Sequence, residues 1–150
     1  MDSTDMFKHI LIPIDDDAGS RRVIEQAVAL AHSIGTCVTG LHVMMEFNVS
    51  GIVDELIEPP LDQLQKLSRA HADKLFSPLT YEAEHAGVAC DTIAVQGDSP
   101  WRAIVAKAAE SGCDLIVMAS HGRRGITKFM LGSETQQVLT HTEVPVLVVH

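Results

Sequence analysis

Positive charge is scarce in this 150-residue chain: 11 lysines and arginines stand against 20 aspartates and glutamates, a formal net charge of −9. Nucleic-acid binding requires a basic face against the phosphates, and these dispersed cations do not supply one. Cysteine is sparse as well. Cys37, Cys90 and Cys113 are odd in number and widely separated, which argues against a disulfide framework and against a C-x-x-C metal or redox site; ordinary buried thiols are the expectation. Long apolar runs are missing, since nothing approaches the roughly 20 residues of a membrane span. Residues 1–5 are acidic and the run after them is interrupted by Pro13 and Asp15, unlike a signal peptide, so a cytoplasmic protein is expected. Common site signatures are also lacking. There is no G-x-x-x-x-G-K-[ST], no G-x-G-x-x-G, no H-E-x-x-H and no G-x-S-x-G, so a P-loop NTPase, an ordinary dinucleotide-binding protein, a zincin and a serine hydrolase are unsupported.

What is present is an alternation of short apolar runs with helical patterns. Residues 7–14 form a near-continuous apolar run stopped by Pro13 and the aspartates at 15–17, which predicts a strand buried on both faces. Residues 18–34 place Val23, Ala27, Leu30, Ala31 and Ile34 at helical spacing, with Gly35 as a stop. A second strand over 36–45 leads into residues 46–59, read as loop or short turn. From 61 to about 87 runs a long helical pattern with Leu61, Leu64, Leu67 and Leu75 on one side, and Pro78 is expected to break or kink it. A third strand, 88–96, precedes Ser99-Pro100, a cap residue followed by proline at the first helical position. Ile104, Val105, Ala108 and Ala109 make that helix's inner stripe. Strand 114–118, a helix over about 132–141 and a last strand over 145–149 complete the chain. Such alternation predicts a single α/β domain with a doubly wound parallel sheet and helices on both faces.

Between the fourth strand and the last helix lies Ala-Ser-His-Gly-Arg-Arg-Gly-Ile-Thr-Lys-Phe-Met-Leu-Gly-Ser, residues 119–133, with three glycines, three cations and no carboxylate. A strand, a small-residue loop and a helix start suit an anion, because the first helical turn has unpaired N–H groups and the positive end of the dipole. A nucleotide phosphate is the working expectation. In open sheets of this class ligands bind at carboxyl strand ends where strand order reverses, so Asp15 is expected to face this loop across a crevice if strands one and four are neighbours.

The spacing Ala119-x2-Gly122-x9-Gly132-Ser133 resembles the G-x2-G-x9-G-[ST] motif of the ATP-binding universal stress protein family. The resemblance extends over the chain: Ile-Leu-Ile-Pro-Ile-Asp ending at Asp15, Leu41-His42-Val43, Gly97-Asp98, Asp114 to Met118, and the closing Pro-Val-Leu-Val-Val. It implies a Rossmann-like five-stranded sheet ordered 3-2-1-4-5 and an adenine-nucleotide pocket between strands one and four. By position, Pro13 and Asp15 line the base and ribose side and Val43 sets backbone groups against adenine. Met118, Ala119, His121 and Gly122 flank ribose and phosphates, and Gly132, Ser133 and Glu134 offer the helix start. ATP, AMP or ADP is the implied ligand, with magnesium as a possible companion. A homodimer through residues 145–149 is the implied assembly. One position departs from the motif: Ala119 replaces its first glycine. A methyl group is harmful there if the backbone needs positive φ or the ligand approaches closely, and harmless if only a small side chain is required.

Several residues carry two readings. Arg123, Arg124 and Lys128 are either solvated loop cations or counter-charges for phosphates. Asp15 either caps the first helix or accepts hydrogen bonds from ribose hydroxyls, while Asp16 and Asp17 read as helix-start charges. His121 has no visible nucleophile partner or metal cluster, so no catalytic or metal-ligating residue is assigned. Three functions remain in view: a nucleotide-binding regulatory module with little turnover, a nucleotide-independent interaction protein, and a slow ATPase.

Overall fold

The computed structural model describes residues 6–15, 19–45, 61–120 and 131–150. Strands β1 (His9–Pro13), β2 (Cys37–Met45), β3 (Cys90–Gly97), β4 (Leu115–Ala119) and β5 (Val146–Val149) alternate with helices α1 (Gly19–Ile34), α2 (Leu61–Ala86), α3 (Pro100–Glu110) and α4 (Ser133–His141). All strand pairs are parallel and the order is β3-β2-β1-β4-β5, as expected. Residues 46–59, expected as loop, lie outside the described residues.

The apolar runs explain why the helices lie on both faces. Ile10, Ile12, Ile14, Val38, Leu115 and Val117 face α1 and α2, against Val23, Ala27, Phe76 and Leu79. Their alternates Leu11, Leu41, Ile116 and Met118 face α3 and α4, against Ile104, Ala108 and Val138. A strand covered on both sides has no polar face to show, which is why β1 reads as continuous hydrophobe.

Four expectations need correction. Among the described side chains of α2, Ala72, Phe76, Leu79 and Ala83 are buried and Leu75 packs against the core, whereas Leu67 is 65% exposed; the side chains of Leu61 and Leu64 lie outside those described. A 26-residue helix is about 39 Å long at 1.5 Å per residue, longer than a nine-residue strand at about 30 Å, and the buried residues among its described side chains run from Ala72 to Ala83. Pro78 does not break α2, which continues to Ala86; burial of Phe76, Leu79 and Ala83 on either side of it holds the helical path. In α3, Ala109 turns to solvent while Ile104 and Ala108 are buried. The cysteines are free, but only Cys113 is buried; Cys37 and Cys90 begin β2 and β3 and are half-exposed.

Candidate nucleotide site at the carboxyl edge of the sheet

Strand order reverses at β1, which pairs with β2 on one side and β4 on the other. The backbone direction of each β1 residue follows from two hydrogen bonds. Asp114 N–H donates to His9 C=O at 3.0 Å, so odd-numbered residues point to β4; Ile14 N–H donates to Leu41 C=O at 2.8 Å, so even-numbered residues point to β2. Pro13 is odd-numbered. The donor that proline lacks is therefore the one that would have reached β4. Register partners between β1 and β4 stop at Leu11↔Ile116, although β1–β2 partners reach Pro13↔Leu41 and β4–β5 partners reach Ala119↔Val149. At the other end the same seam is clamped: the Asp114 carboxylate accepts the N–H of Lys8 at 2.8 and 3.0 Å and of His9 at 3.0 Å. The β1–β4 seam is thus laced at its amino end and unlaced at its carboxyl end.

Residues expected to hold a ligand border the unlaced end. Asp15 follows β1 and is exposed; Ser20 Oγ, in the first turn of α1, donates to its C=O and its Oδ1 at 3.2 Å each. His42 Nδ1 donates to Ile14 C=O at 2.9 Å, since a carbonyl can only accept, and so fixes the peptide that leads into Asp15. On β2, Leu41 directs its carbonyl to β1, so Val43, two residues on, directs its backbone groups the same way, past the last β1 partner. The Val43 side chain packs on the α3–α4 core. Met118 is 5% exposed and its side chain belongs to that core too, which leaves its backbone as the part able to meet a ligand.

The two ends of the glycine-rich segment converge. Gly132 N–H donates to Ser120 C=O at 2.7 Å and Thr135 Oγ1 donates to Ala119 C=O at 2.8 Å, so α4 starts beside the end of β4. Thr135 was not singled out by sequence reasoning; a hydroxyl in the first turn of a helix after a glycine was the available signal. Gly132 occupies the N-cap position with φ −60° and ψ 152° and, being glycine, supplies no side-chain cap bond. The N–H groups of Ser133 and Glu134 then lead it. The Glu134 side chain is turned to α3, where its Oε2 accepts the Trp101 N–H at 2.8 Å. Ser99 does hold the N-cap position of α3, yet its hydroxyl makes no cap bond. Glu134 supplies that bond from another helix instead. His121, Gly122 and Arg123, with Arg124, Gly125 and Lys128, lie outside the described residues, as do Asp16 and Asp17.

Ala119 ends β4 without backbone strain, because no described non-glycine residue has positive φ. Its methyl packs against the α1–α2 core. Among the described residues no group of three or more His, Cys, Asp or Glu side chains is placed to hold a metal ion, and no helix is long and apolar enough to cross a membrane. The thiols with displaced pKa values sit at the opposite edge of the sheet. Burial first, then Asp114 and Cys37, push Cys113 up to about 11; burial, then Asp91, raise Cys90.

Comparison with known proteins agrees with this architecture. The universal stress protein family model matches residues 6–150. Universal stress protein YxiE of Bacillus subtilis is 31% identical over 149 residues, covering 96% of this chain and 99% of that protein. Among solved structures, MJ0577 of Methanocaldococcus jannaschii superposes with a TM-score of 0.80 at 29% identity, covering 96% of both chains. A universal stress protein in complex with cAMP gives 0.73 at 20% identity, covering 97% of this chain and 99% of that one, and thereby shares the fold. Structures from Archaeoglobus fulgidus and Arabidopsis thaliana, at 18% and 17% identity, are complexes with dAMP and AMP. The matching family model, the sheet order and the paired ends of the glycine-rich segment lead to one conclusion: this chain belongs to the universal stress protein family.

Proposed function

We propose that the chain binds an adenine nucleotide, ATP, ADP or AMP, at the unlaced carboxyl end of the β1–β4 seam and works as a regulatory module with little turnover. The observation that carries this reading is the convergence of three features there: the β1 end at Pro13 and Asp15, the backbone of Val43, and the glycine-led start of α4 beside Ala119. Base and ribose are met by Pro13, Asp15 and Val43, ribose and phosphates by Met118, Ala119, His121 and Gly122, and phosphates by Arg123, Gly132, Ser133 and the main-chain N–H of Glu134. The cAMP, dAMP and AMP complexes of related folds support the adenine part. Magnesium would accompany a polyphosphate through water and Asp15.

The proposal extends to a cytoplasmic homodimer joined through β5. That edge strand is short and uncharged and Leu147 is 43% exposed, which suits pairing with a second copy. A ligand that prefers one conformation or assembly shifts the population toward it by its differential affinity, which is how binding alone regulates. Thermal unfolding tests the reading. Adenine nucleotide at about 100 times its Kd stabilises a specific binder by about 2.7 kcal/mol. Equal melting with ATP, AMP, GTP and no nucleotide at millimolar concentration contradicts it and favours the nucleotide-independent interaction protein. Sedimentation of a Leu147→Lys variant tests the dimer, which that substitution should dissociate.

A further inference from the structure

We infer that Glu134 sets how much phosphate charge the site accepts, disfavouring triphosphates and favouring the monophosphate; this rests on the adenine-site reading above. Glu134 is the second residue of α4, within the first turn, whose N-cap residue Gly132 supplies no side-chain cap bond. Its carboxylate is fixed. Oε2 accepts the Trp101 N–H at 2.8 Å in a part-buried contact, and swinging the side chain away would uncap α3, whose own N-cap residue Ser99 makes no side-chain bond. No described cation neutralises it: the two ion pairs among the described residues are Arg21–Glu25 and Lys107–Glu110, on α1 and α3. A negative charge held at the positive end of a helix already takes up part of the dipole's attraction and repels further anions arriving there. Uncharged adenosine does not meet this repulsion, AMP meets some of it and ATP meets most.

The substitution Glu134→Gln removes the charge and keeps an acceptor for the Trp101 N–H. Wild type and variant are titrated calorimetrically with adenosine, AMP and ATP at low and high salt. The gain in affinity on substitution should rise in the order adenosine, AMP, ATP, by roughly two- to fivefold per added charge at low ionic strength, and shrink as salt screens it. Glu134→Asp, which keeps the charge, should retain the wild-type ATP-to-AMP ratio. An equal change for all three ligands, no change, or an Asp variant whose ratio moves like that of the Gln variant overturns the inference. A wild type that binds none of the three overturns the adenine site itself, so the two failures are told apart.

Discussion

The methyl group of Ala119 is the one departure from the family's glycine spacing. Its backbone has no positive φ and the methyl packs into the α1–α2 core, so alanine is accommodated without strain. Glycine is demanded instead at Gly40, a buried β2 position where a Cβ would lie 2.6 Å from Leu79 Cδ2 and 3.2 Å from Ile14 Cδ1 and Phe76 Cδ1. Replacing it by alanine forces α2 outward or Leu79 off its rotamer, and about 1–3 kcal/mol of stability should be lost in urea unfolding; an unchanged midpoint would contradict the packing described. Cys113 supplies a pH-dependent term. Its folded pKa is raised from 9.0 to about 11, so the native state keeps a proton that the unfolded chain releases. This contribution is complete below pH 9.0 and lost as pH rises toward about 11, a span of roughly 2–3 kcal/mol. Unfolding curves of wild type and Cys113→Ala between pH 8 and pH 11 should therefore converge by about that amount; parallel curves would refute the assignment.

At the scale of elements, Pro13 decides where the sheet opens, because its missing donor points to β4 rather than β2. A Pro13→Ala chain regains that N–H. Lacing of the seam should then slow hydrogen exchange at residue 13 and weaken nucleotide about three- to tenfold, on the scale of one net hydrogen bond; fast exchange with unchanged affinity would sink this account. Much of the element pattern was legible in the sequence. The apolar run of β1, the Ser99-Pro100 start of α3 and the glycine spacing around α4 are local signals that need no knowledge of partners. Contacts closed over long separations were not legible. The Asp114 clamp on Lys8 spans 106 residues, the Glu134 bond to Trp101 spans 33, and His42 meets Ile14 across two strands. Within the leucine pattern of α2, Leu75 packs on the core but Leu67 is exposed for a related reason, since helical spacing marks an apolar face without saying which turns of a long helix reach the sheet.

For the molecule as a whole, the two edges of one sheet differ in kind. The amino edge is closed by the Asp114 clamp and holds the two raised-pKa thiols, Cys90 and Cys113. The carboxyl edge gathers the end of β1, the backbone of β2 and the start of α4 around an unlaced seam. Family membership places the chain among proteins of which some are solved with cAMP, dAMP or AMP. The most direct test is an NMR titration of the 15N-labelled chain with AMP. Saturable shifts should be largest at the amides of Asp15, Val43, Ala119 and Ser133 and small at Lys8 and Asp114. Shifts that never saturate, or that cluster at the amino edge, would contradict an adenine-nucleotide site at the β1–β4 seam.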